Sequence, residues 1–330
     1  MPHLVAAPDK FRGTATAAEV AAAVCRAAVE AGWTCDQAPL ADGGEGLLEV
    51  LGGPNRRSRV TGPLGQPVEA AWRMEGDTAV VETARASGLV LAGGPDGNDP
   101  LAATTRGTGE LILAAVAAGA RRIVVGVGGS ATTDGGLGAI EAVGGPDRLR
   151  GVEVVVACDV DIGFVEAATE FAPQKGASPK QVSLLERRLQ RLSQLYLQRY
   201  GVNVSALPGA GAAGGLAGGL AALGATLVPG FELVADRVGL EERLEGADLV
   251  VTGEGFVDEQ SFHGKVVGGV VELCSLARVP VLVVAGEVLA DPGVETVSLT
   301  VRFGAERSLA EPAACVAEVV AERLQAERRS

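Results

Sequence analysis

Five short polar segments hold most of the residues able to do chemistry in this chain: APDKFRGT (7–14), PLADGGEG (39–46), GVGGSATTDGG (126–136), CDVD with APQKGA (158–161 and 172–177), and VTGEGFVDEQSFHGK (251–265). They supply carboxylates, cations, hydroxyls and glycines, with one thiol and one imidazole among them. Phosphoryl transfer needs such a mixture: positive charge on the moving oxygens and a base on the acceptor hydroxyl, with no nucleophilic Cys or His. Lys10, Arg12, Lys175 and Lys265 are the cations. Lys10, Arg12 and Lys175 are assigned to neutralising transferring charge or a substrate carboxylate. Asp42 is the leading candidate for the acceptor base, with Asp9 behind it.

Glycines at 126–136 can close a tight turn or lay backbone N–H groups open to a phosphate at a helix start. Ser130, Thr132, Thr133 and Asp134 add donors and a metal ligand, which favours the phosphate cradle. Gly126, Gly128 and Ala131 match the dinucleotide spacing G-x-G-x-x-G/A, and Gly209, Gly211 and Gly214 match it again. No acidic residue ends a second strand at the required distance, so a nicotinamide-dependent dehydrogenase is only the alternative reading. The second loop equally suits close helix packing. A Walker A loop is excluded, because Gly264–Lys265 lacks the spacing and the following hydroxyl. Asp159 and Asp161 point to one side if the chain there is extended, which suits Mg²⁺ carried on a nucleotide, with Asp134 as a third ligand. Turn formation is their ordinary alternative. Helix capping is the alternative for Asp42 and Glu45, and Glu254 and Asp258 face the same choice. His263 reads as exposed loop and Cys158 as a small buried hydrophobe.

The elements that must hold these segments are Val-rich runs: HLVAAP, AVVET, RRIVVGV, VEVVVAC, ADLVVTG, VPVLVVAG and TVSLT. Continuous apolar runs of this kind predict strands covered on both faces, and helical patterns between them give an α/β class with a mainly parallel sheet. Ligands of such sheets bind at the carboxyl ends of strands, where these polar segments recur. The clearest helix runs from Pro179 to Tyr200. Ser178 and Gln181 form its capping box, Gly201 stops it, and Val182, Leu185, Leu189, Leu192 and Tyr196 make its apolar stripe. Gly, Pro and charge between Leu51 and Trp72 mark the predicted domain boundary.

A formal charge of −13 disfavours nucleic acid and anionic lipid as partners. Five scattered cysteines predict a reducing compartment with no disulfide framework and no zinc site. Residues 200–231 contain no charged side chain, but Gly and Ala dominate them, prolines bracket them and no aromatic belt flanks them, so no membrane span is predicted. No secretory signal is read at the N-terminus, and the location expected is cytoplasmic.

Taken in order, APDKFRGTATAAEVA, PLADGGEG, TTRGTGELI, GVGGSATTDGG, ACDVD, APQKGA, PGAGAAGG and LVVTGEGFVDEQSFHGK resemble the bacterial glycerate kinase family over nearly the whole chain. The resemblance implies two α/β domains, one Rossmann-like with a mainly parallel sheet and the other inserted into it, with the site in the cleft between them. The division expected is 1–55 plus about 235–330 for the Rossmann-like domain and about 56–234 for the insert. It also implies ATP and Mg²⁺, D-glycerate as acceptor and a phosphoglycerate product, usually 2-phosphoglycerate. A non-catalytic small-molecule-binding relative is a further alternative, and assembly as a homo-oligomer stays open. Substrate and phosphate contacts are assigned to Gly43, Gly44, Glu45, Arg106, Gly128, Gly129, Ser130, Thr132, Thr133, Gln174, Gly211, Gly214, Glu254, Gln260 and Lys265. The chain departs from the family pattern at Arg12, where a lysine is common, at Ile162–Gly163–Phe164, at Ala172 and at Ser261. The stretch before GVEVVVAC is also shorter than usual.

Overall fold

The computed structural model describes all residues except Arg12, Asp159, His263, Gly264, Asp291, Pro292 and 328–330, and the side chain of Gln260 is also outside the description. In chain order its strands are β1 (His3–Ala6), β2 (Thr34–Gln37), β3 (Arg56–Thr61), β4 (Pro67–Glu75), β5 (Thr78–Glu82), β6 (Arg122–Gly126), β7 (Glu153–Cys158), β8 (Thr226–Pro229), β9 (Leu249–Thr252), β10 (Phe256–Val257), β11 (Val281–Ala285), β12 (Glu287–Val288) and β13 (Glu295–Ser298). Every Val-rich run read as a strand contains one. They fall in two compact units, Met1–Asp42 with Phe231–Ser330, and Gly43–Gly230.

The first unit holds a five-stranded sheet in the order β13-β11-β9-β1-β2. All neighbours are parallel, with Leu4 opposite Leu249 and Val5 opposite Val250. Parallel strands must be covered on both faces, which is why Leu4, Val5, Val250, Val251, Leu282 and Val283 are all buried. The helices Ala17–Glu30 and Pro312–Glu327 seal one face through Val20, Val24, Val316, Val320 and Leu324. Val267 of the helix Val266–Ala277 packs with Val283 and Ala285 in a separate cluster. The first helix starts sharply because Thr16 and Glu19 form a capping box.

A disulfide joins Cys25 to Cys35 in this unit, which corrects the expectation that the cysteines form no disulfide. The cause is tertiary: the helix Ala17–Glu30 packs beside β2 and brings the two Cα atoms to 5.3 Å, a proximity that ten residues of sequence separation do not reveal. Cys158, Cys274 and Cys315 are buried and take no part in the disulfide.

The second unit holds a six-stranded sheet in the order β3-β4-β5-β6-β7-β8, antiparallel through β3, β4 and β5 and parallel from β5 to β8. The stretch Leu51–Trp72, expected to be a domain boundary, is instead largely the β3–β4 hairpin. Only one side of it is apolar, with Val60, Ala70 and Trp72 buried between exposed charges, so the continuous-run signal is absent. Residues 43–55, placed by the sequence with the first domain, pack in the second unit; Leu47 lies against Gly126. The helix Pro179–Tyr200 forms as predicted, with Leu185, Leu189, Leu192 and Tyr196 buried and Gly201 in the left-handed region at φ 72°. Within the charge-free segment after Tyr200, Ala212–Ala222 is fully buried and helical apart from a kink at Ala213–Gly215, where the backbone is left-handed. Among the described residues no helix is long and apolar enough to cross a membrane.

Candidate active site

In the first unit, chemistry gathers at the carboxyl ends of β1, β2 and β9. The chain leaving β1 stays in register with β9's extension: Ala7 N–H donates to Val251 O at 2.8 Å and Asp9 N–H to Gly253 O at 2.9 Å. Leu40 N–H reaches Pro8 O at 2.9 Å, which brings the chain after β2 alongside and carries Asp42 with it. Gly253 must be glycine, since a Cβ there would lie 1.7 Å from Val284 O. The result is a cluster: Lys10 Nζ lies 3.5 Å from Asp9 Oδ1 and 3.8 Å from Asp42 Oδ1. Burial pushes the Asp9 carboxyl up to about 6, with Lys10 pulling it down and Asp42 adding to the rise. Burial likewise pushes Glu254 up to about 7; a Ser261 hydrogen bond and Lys265 oppose the rise, while Asp9 and Asp42 add to it. Glu254 Oε1 is buried with no hydrogen-bond partner among the described residues. Asp258 caps its own turn, accepting from Ser261 N–H at 3.1 Å.

In the second unit the glycine loop after β6 packs against the chain at 43–45 and against Gly214. Val127 N–H donates to Gly43 O at 3.2 Å, and a Cβ on Gly128 would lie 2.5 Å from Gly44 Cα. One on Gly129 would meet the Glu45 carboxylate at 2.1 Å. So the PLADGGEG and GVGGSATTDGG segments are packed backbone to backbone. Gly214 has the same relation to Thr132 O, and Gly211 N–H donates to Ile162 O at 2.9 Å. The small residues of PGAGAAGG therefore serve close packing, one of the two readings the sequence left open.

Asp134 is buried and accepts four hydrogen bonds, from Thr105 N–H and Oγ1 (both 2.9 Å), Gly136 N–H (3.1 Å) and Gly138 N–H (3.2 Å). Thr105 Oγ1 in turn accepts from Ala139 N–H at 3.0 Å. One carboxylate thus ties the glycine loop to the starts of the helices Arg106–Ala117 and Leu137–Val143. Both of its oxygens are engaged by protein donors, so it does not fit the expected role of magnesium ligand. Asp161 is exposed beyond β7 and fits a hydrated cation; Asp159 lies outside the described residues. No group of three or more His, Cys, Asp or Glu side chains is arranged to hold a metal among the described residues.

Lys175 is also buried, donating to Ser130 Oγ at 2.9 Å and Thr132 O at 2.7 Å. Burial drives its ammonium down to about 7, against the attraction of Asp134. Its neighbour Gln174 is exposed, and exposed Arg106 pairs with Glu110 at 3.1 Å. Thr132 and Thr133 are buried, and Thr133 Oγ1 has no hydrogen-bond partner among the described residues. The expected contacts at Arg12 and the Gln260 side chain lie outside the described residues.

Sequence reasoning passed over three positioning side chains. Glu82, ending β5, accepts from Gly46 N–H (3.0 Å) and Leu48 N–H (2.8 Å) and so fixes the loop at 43–46. Asn98 Nδ2 donates to both Ala131 O (3.0 Å) and Lys175 O (2.9 Å). Tyr196, counted as core, also donates from its hydroxyl to Gly135 O at 2.9 Å. A carboxylate closing the AVVET run was the only one of these signals visible in the sequence.

The model of the glycerate kinase family matches residues 4–147 and 144–324. The chain belongs to the glycerate kinase family. Glycerate 2-kinase of Escherichia coli K12 is 40% identical over 331 residues, covering 88% of this chain and 87% of that protein. Glycerate kinase of Bacillus subtilis 168 is 40% identical over 328 residues, covering 87% and 86%. An uncharacterised protein of Mycobacterium bovis is 45% identical over 309 residues, covering 88% and 80%. The crystal structure of a protein assigned as glycerate kinase 2 from Salmonella typhimurium LT2 superposes with a TM-score of 0.84 at 35% identity, over 100% of both chains. Glycerate kinase membership and that structural match establish the α/β class; the dehydrogenase and non-catalytic alternatives gain no support from them.

Proposed function

We propose that this protein transfers the γ-phosphoryl group of ATP to the 2-hydroxyl of D-glycerate, giving 2-phosphoglycerate and ADP. The observation that carries the acid–base part is Lys10 held within 4 Å of both Asp9 and Asp42 at the strand ends of the first unit. Asp42 takes the proton of the attacking hydroxyl as its oxygen bonds to the γ-phosphorus and the β–γ bridging bond breaks. Lys10, with Arg12, sets positive charge against the glycerate carboxylate or the transferring oxygens. The loop at 126–136 receives the ATP phosphates through backbone N–H groups, and Gly43 and Gly44 allow the close packing that fixes it. Asp161 is the described carboxylate that would hold magnesium or its waters, and the metal, when bound with the nucleotide, would supply charge to offset the phosphates.

The test is one incubation with ATP, Mg²⁺ and D-glycerate, following ADP and reading the product by phosphorus NMR. The 2-phosphoglycerate resonance supports the proposal and the 3-phosphate revises the acceptor hydroxyl. Binding of ATP and glycerate with no ADP release refutes transfer. In the same assay Asp42→Asn should lower kcat by roughly 10²–10⁴-fold with little change in KM, and near wild-type turnover would remove Asp42 as the base.

A further inference from the structure

Lys175 has the residue type expected of a phosphate contact, yet its ammonium is turned into the protein, and the side chain is only 4% exposed. The ammonium donates to Ser130 Oγ at 2.9 Å and to Thr132 O at 2.7 Å, both in the glycine loop. The loop is gripped again from the Lys175 backbone, whose carbonyl shares the Asn98 amide with Ala131 O. The turn carrying Lys175 is itself fixed, because a Cβ on Gly176 would lie 2.3 Å from Pro95 O. Phe171 places its ring 6.0 Å from the ammonium.

We propose that Lys175 is a positioning residue that holds Ser130–Thr132 in the geometry that receives the ATP phosphates, and that it acts through those residues without touching substrate. The inference rests on the reading of the 126–136 loop as the phosphate-binding loop. It makes two physical demands. Removing the amine should loosen nucleotide binding more than it slows the chemical step, since an interaction that sets ground-state geometry appears in KM. Removing Ser130 Oγ should produce part of the same defect, and the two changes should not add, because residues in one hydrogen-bond network couple.

The experiment is a double-mutant cycle of Lys175→Met and Ser130→Ala, reading ATP binding by calorimetry, KM and kcat for each substrate, and melting temperature. Lys175→Met is expected to weaken ATP binding and raise its KM about ten-fold, the scale of one lost hydrogen bond, with kcat within about three-fold and the glycerate KM unchanged. Ser130→Ala should weaken ATP at least about three-fold, and the double variant should be no worse than Lys175→Met. Additive effects overturn the proposal. So does a fall in kcat of about a thousand-fold at constant KM, which would mean contact with the transferring group. A changed melting temperature with unaltered ATP binding would reduce the role to structure alone and also overturn it. If Lys175→Met does not fold, Ser130→Ala decides by itself, and unchanged ATP affinity there is fatal. Wild-type protein that fails to bind ATP would refute the underlying reading, and the inference with it; wild-type binding with unaffected variants refutes the inference only.

Discussion

Replacing Asp134 by asparagine separates a latch from a metal ligand. The carboxylate takes three donors on Oδ2 and one on Oδ1. An amide offers one acceptor oxygen, and its better orientation keeps Thr105 N–H, Thr105 Oγ1 and Gly138 N–H while turning NH₂ toward Gly136 N–H. A buried donor left unpaired costs about 1–3 kcal/mol, and the three surviving bonds lose their charge assistance. A total of about 2–4 kcal/mol follows, which in a unit of this size lowers the melting temperature by roughly 5–15 °C. Loss of the Asp134 charge also lets the Lys175 ammonium fall further below about 7. Thermal denaturation of both proteins, with kcat measured across a Mg²⁺ titration, provides the reading. An unshifted melting temperature together with a much higher Mg²⁺ requirement would refute the latch and return Asp134 to the metal.

Glu254→Gln should stabilise the protein in a pH-dependent way. Its folded carboxyl lies near 7 against an ordinary 4.5, so burying it as a carboxylate costs stability progressively as pH rises from 4.5 to 7 and fully above. Comparison of melting curves at pH 5 and pH 8 should show the gain from the variant confined mainly to the higher pH, up to about 3 kcal/mol; an equal gain at both would exclude a buried carboxylate as the cause. Alkylation of unfolded, unreduced protein should label three cysteines, rising to five after reduction. Cys35→Ser should cost roughly 2–3 kcal/mol in denaturant unfolding, and no loss would mean the bridge does not form.

The sequence carried a good part of this protein because its signals are local. Continuous valine runs announced buried parallel strands, and Ser178, Gln181 and Gly201 marked both ends of the long helix. It missed β3 and β4, whose apolar residues alternate on one face and are diluted by arginine. Its polar segments suggest a single site, but the sequence could not say which oxygen or nitrogen of each is left for chemistry. Asp134 and Lys175 look alike in sequence to any catalytic carboxylate and lysine. Only their burial, and the Thr105, Gly138, Ser130 and Thr132 partners brought from up to 45 residues away, turn them toward the loop itself. The same holds for Cys25 and Cys35, joined by helix-on-strand packing. Residue type and spacing determine which groups are available for chemistry. Long-range hydrogen bonds and desolvation, which depend on the folded chain, decide whether each group is spent on the scaffold or left for the reaction.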